Sequence, residues 1–116
     1  MSQPPITETL DTPQLLQSYL NSCPPGLLDL DLTNQNITSL EGIAFSDGLK
    51  KLNLSDNQIT SLTGVKFPAN LMALNLMSNG IKSLEGVHFP HTLMLLSLGF
   101  NPIWSNNNSN RIKKRY

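Results

Sequence analysis

The sequence predicts an α/β repeat solenoid: a short N-terminal helix, then stacked copies of one 22-residue unit whose strands pair in parallel. Three observations predict it. Leu27, Leu49, Leu71 and Leu93 stand 22 residues apart. The first half of each unit alternates apolar and polar residues, the mark of a half-buried strand. A single unit cannot bury its own leucines, whereas stacking at this period closes a continuous core.

The chain has 116 residues, which bounds it to one domain with a thin margin of core. An apolar fraction of 39% and zero net charge exclude the disordered, collagenous and membrane classes. No apolar run approaches the length of a membrane helix, so no membrane span is expected. MSQPPITETL lacks the basic and apolar regions of a secretory signal. Cys23 is the lone cysteine and can form no intramolecular disulfide, which points to an intracellular, cytoplasmic setting. The sequons at Asn36, Asn53 and Asn107 are read as coincidence in an asparagine-rich chain.

From the N-terminus, residues 1–11 are expected to form a flexible tail. Residues 12–26 are expected to form a helical cap and turn. Asp11-Thr12-Pro13-Gln14 has the composition of a helix start, and Leu15, Leu16, Tyr19 and Leu20 make one apolar face. Pro24-Pro25-Gly26 stops the helix and feeds Leu27. Three full units follow, 27–48, 49–70 and 71–92, and then a partial one, 93–105. Within each, leucine holds positions 1, 4 and 6, and isoleucine holds position 11. The second half keeps Gly42, Gly64 and Gly86 at position 16 and Phe45, Phe67 and Phe89 at position 19. Its apolar spacing fits neither helix nor strand, so an irregular return segment is expected. There the glycine supplies a backbone angle other residues resist. Residues 106–116 make an asparagine-rich, basic tail. Asn106 replaces the leucine of position 14, and Trp104 is the one residue suited to fold over the last unit.

Position 9 holds Asn57, Asn79 and Asn101. A buried amide has donors and an acceptor for backbone groups freed where strand becomes return segment. Stacked, the three predict a structural ladder. Gln35, one methylene longer, takes that position in the first unit.

LxxLxLxxNxIxxL at a 22-residue period resembles the leucine-rich-repeat signature, over residues 27–105. The period is similar to the short repeats of bacterial internalins and of a phosphatase-regulating class. The resemblance implies a right-handed arc with a parallel sheet on its concave face, an irregular or 3-10 convex side, and use in binding proteins.

No catalytic or cofactor constellation is found. His88 and His91 sit at variable surface positions with no carboxylate or thiol to complete a metal site. Cys23 has no basic neighbour to activate it. Arg111, Lys113, Lys114 and Arg115 are read as a solvated terminus, with no aromatic platform for nucleic acid.

The outward strand positions run from acidic through mixed to apolar. Met72, Met77, Met94, Leu95 and Phe100 are the expected partner-binding patch, methionine being suited to an adaptable surface. The expected function is therefore a non-catalytic protein–protein interaction module, with an unidentified protein partner and no small-molecule substrate. Residues 1–49 carry −6 and the remainder +6, which leaves self-association open. A second reading makes the chain a regulatory segment of a larger repeat protein, beside a kinase or in a receptor-like array.

Overall fold

The alternating leucines form four strands of three residues, each with its central leucine buried. They are β1 (Asp29–Asp31), β2 (Lys51–Asn53), β3 (Ala73–Asn75) and β4 (Leu95–Ser97). The computed structural model describes residues 1–103. The expectations attached to Trp104, Asn106 and the basic tail lie outside the described residues. The strands make one parallel sheet in the order β1-β2-β3-β4. Its register is that of the sequence period: Leu30 faces Leu52, Leu52 faces Leu74, and Leu74 faces Leu96. Positions 1, 4, 6 and 11 supply most of the core, with Leu32, Leu54, Leu76, Ile59 and Ile81 fully buried.

The return segments are irregular chain with two turns each, and no residue between 27 and 103 is in a 3-10 helix. In the first turn Ile43, Val65 and Val87 donate to the carbonyls of Leu40, Leu62 and Leu84. Gly42, Gly64 and Gly86 sit at its third position with φ of +77°, +76° and +75°, the left-handed angle a type II turn requires there. Ser39, Ser61 and Ser83 brace it by accepting the N–H two residues on. The second turn delivers the chain to each strand. Leu27, Leu49, Leu71 and Leu93 donate to the carbonyls of Pro24, Ser46, Pro68 and Pro90. Phe67 and Phe89 stack behind the turns, ring centroids 5.6 Å apart.

Helix α1 (Pro13–Ser22) precedes the sheet, with Leu16 buried and Leu15, Tyr19 and Leu20 packed against the core. Its N-cap is Thr12, whose hydroxyl accepts the Leu15 N–H at 3.1 Å. Proline at the first helical position puts the boundary there.

The flexible tail expected over residues 1–11 is instead packed chain. Leu10 is buried, and Ile6 lies against the core. Gln3 pairs its amide with both peptide groups of Asp31 on the outer edge of β1: the Asp31 N–H donates to Gln3 Oε1, and Gln3 Nε2 donates to the Asp31 carbonyl. The Tyr19 hydroxyl donates to the Pro4 carbonyl. On α1, Gln17 repeats the bidentate pairing with Ala44 of the first return segment, at 2.8 and 3.1 Å. These contacts finish an edge that otherwise presents unpaired peptide groups.

Candidate functional site

Position 9 places an amide where each strand turns into its return segment. Asn57 Oδ1 accepts the N–H groups of Gln35 and Ile37, both at 3.0 Å. Its Nδ2 donates to the carbonyls of Leu32 and Leu54. Asn79 accepts from Ile59 and donates to Leu54 and Leu76. Asn101 accepts from Ile81 and donates to Leu76 and Leu98. Every asparagine thus ties its own unit to the one before it. Gln35 has no preceding unit. Its longer side chain reaches the N-terminal segment instead, accepting the Leu10 N–H at 3.2 Å.

The open face of the sheet carries a groove of about 330 Å³. Positions 3 and 5 line it. The position 3 column runs Asp29, Lys51, Ala73, Leu95 as register partners. The position 5 column is Asp31, Asn53, Asn75 and Ser97. Its first three side chains accept the backbone N–H two residues on, from Thr33, Ser55 and Met77. Such turns fix the side chains.

The five residues expected to bind a partner do not lie together. Met72, Met94 and Leu95 do adjoin: the N–H groups of Met94 and Leu95 both donate to the Met72 carbonyl. They are 42%, 81% and 61% exposed. Leu28, 55% exposed, occupies the position equivalent to Met72 and Met94. It extends the apolar column to β1, with Lys50 between. The signal for it was the shared position 2. Phe100 is also 81% exposed, but it stands past the far end of β4. Met77 is half-buried because Gly99 has no side chain to hold it off; a Cβ there would lie 3.4 Å from the Met77 methyl. A second depression, about 510 Å³, lies beside β4 between His91, Leu93 and Met94. Leu95 lines both it and the groove.

Gln3 also lines the groove, at its β1 end. Sequence reasoning missed it, because no local pattern signals a glutamine that docks on a distant peptide. Position 8 is a further feature without a periodic signal. Asn34, Asp56, Ser78 and Phe100 there have φ of 59°, 56°, 57° and 57°. The first three are small and polar and tolerate this region, whereas an aromatic ring is strained in it.

Cys23 is half-buried, its thiol donating to the Tyr19 carbonyl. Burial pushes both that thiol and the Tyr19 hydroxyl above their ordinary values. Among the described residues no cluster of three His, Cys, Asp or Glu is placed to hold a metal, and no helix is long and apolar enough to cross a membrane.

Among protein-family models, the one described as "Leucine rich repeat" matches residues 25–67. No curated protein and no solved structure matches the chain.

Proposed function

This chain is a leucine-rich-repeat protein, and on that premise we propose that it is a non-catalytic protein–protein interaction module holding its partner on the concave face of its sheet. Repeats of this kind commonly serve protein binding, because stacked units present an extended surface. In this reading the units form a right-handed solenoid, with α1 and the N-terminal segment as its cap. The half-buried thiol of Cys23 suits a reducing, cytoplasmic setting.

One observation carries the proposal. Met72, Met94 and Leu95 form an adjoining apolar surface, exposed beside a groove that Asp29, Asp31, Lys51, Asn53 and Asn75 also line. Exposed apolar surface rimmed by polar groups is characteristic of protein-binding sites. The phenyl ring of Phe100 adds a second anchor at the other end of β4.

The test is capture of a partner by the intact chain, compared with the double variant Met94→Ser, Leu95→Ser. Both side chains are exposed, so the far-UV circular dichroism stays unchanged. The expected loss of affinity is at least about tenfold, as for apolar anchors at an interface. Undiminished capture refutes the assignment of the face. The variant Phe100→Ser, measured in parallel, reports whether the binding surface reaches the exit of β4.

A further inference from the structure

Resting on that concave-face reading, we propose that the partner presents an extended segment with a basic residue four positions from a large apolar residue. The segment lies across the strands with its basic end over β1.

The position 3 column sets the chemistry. Along the register the side chains pass from Asp29 through Lys51 and Ala73 to Leu95. Asp31 stands with Asp29 on β1, so two carboxylates mark one end of the groove. Leu95 marks the other, with the exposed Met94 next to it in the chain. Asp29 and Lys51 are both exposed register partners, yet neither makes an ion pair among the described residues. Each is available to an incoming charge. Lys51 disfavours a second base in the middle of the segment and favours an acidic residue or a bare carbonyl there. Ala73 leaves space for the passing chain.

The position 5 column sets the conformation. Asn53 and Asn75 spend their Oδ1 atoms on their own turns. Their Nδ2 groups make no hydrogen bond among the described residues. Two such donors on neighbouring strands suit the carbonyls of an extended backbone, which has no internal partners for them.

Spacing fixes the pattern. From β1 to β4 there are three strand intervals of about 4.8 Å, or about 14 Å. An extended chain advances about 3.4 Å per residue, so about four residues cover that distance. A helix rises about 1.5 Å per residue and needs roughly nine or ten.

The experiment measures binding of fluorescent synthetic peptides to the full chain by anisotropy. Each peptide carries one lysine and one leucine in a neutral background, at spacings from two to ten residues. The tightest binding is expected at a spacing of four, weakening as salt is raised. Asp29→Lys is expected to weaken that peptide about tenfold, and a peptide with glutamate in place of lysine to recover the loss. A maximum at nine or ten residues, indifference to Asp29→Lys, or no saturable binding overturns the proposal. Asp29→Lys also separates it from the broader function. If partner capture survives this change but is lost with Met94→Ser, Leu95→Ser, the segment chemistry is wrong and the concave-face reading stands. If neither change matters, both fall.

Discussion

At Asn57, Asn79 and Asn101 a single side chain closes at least four backbone hydrogen bonds, two or more of them to the preceding unit. Removing it strands those groups, so Asn79→Ala is expected to cost about 1–3 kcal/mol in urea denaturation. Asn57→Ala is expected to cost more than Asn101→Ala, because Asn57 is the more deeply buried. Gly64→Ala tests a different cause. A Cβ there meets nothing within 4 Å, so the whole loss, about 1–2 kcal/mol, comes from φ of +76°. Phe100→Asn runs the other way and is expected to stabilise by up to about 1 kcal/mol, since asparagine tolerates φ of 57°. The ladder positions and the turn glycines were legible because they recur at fixed places in an apolar frame. The strain at Phe100 was not, since position 8 shares a backbone angle rather than a residue type.

The helix and the segment ahead of it form an element whose parts differ in legibility. Pro13 and the apolar face of Leu15, Leu16, Tyr19 and Leu20 announced the helix. The packing of residues 1–10 was not announced, because it rests on pairings between residues far apart in sequence. Gln3 meets Asp31, Tyr19 meets Pro4, and Leu10 meets Gln35. Thr12→Ala removes the helix cap and is expected to cost about 1 kcal/mol. The Tyr19 hydroxyl gives the element a pH dependence. Burial raises its folded pKa above the ordinary value of 10.0, so the neutral form is the one folding favours. That stability is fully present below pH 10.0 and is lost as pH climbs through the higher folded value. The denaturation midpoint is expected to fall at strongly alkaline pH, and Tyr19→Phe to remove part of the fall.

For the molecule as a whole, the period of 22 residues accounts for the sheet order and its register. Identical leucines must stack, and a slip by one residue turns the buried set outward. The candidate face was only partly legible. Which residues leave the core follows from alternation, but which of them adjoin depends on where the strands end. Met72, Met94 and Leu95 lie where the strands begin, and Phe100 lies past the end of β4. The ladder carries a chemical consequence for the whole chain. Asn57, Asn79 and Asn101 are followed by Gln58, Gly80 and Pro102. In an unfolded chain the Gly80 nitrogen, uncrowded by any Cβ, can attack the Asn79 amide carbon. Ammonia leaves, a succinimide ring closes, and water opens it to aspartate or isoaspartate. Pro102 has no N–H with which to do this to Asn101. In the folded chain the Gly80 N–H is held on the Ile59 carbonyl at 2.8 Å, and the Asn79 amide is pinned by its own bonds. The product carboxylate cannot donate to Leu54 and Leu76, so a modified chain loses the rung it needs to refold. Chains kept in urea at mildly alkaline pH are expected to deamidate at residue 79 first by peptide mapping. Refolding yield should fall in step, and Gly80→Ala should slow both. Each episode of unfolding is thereby written into the covalent structure, at the middle rung of the ladder.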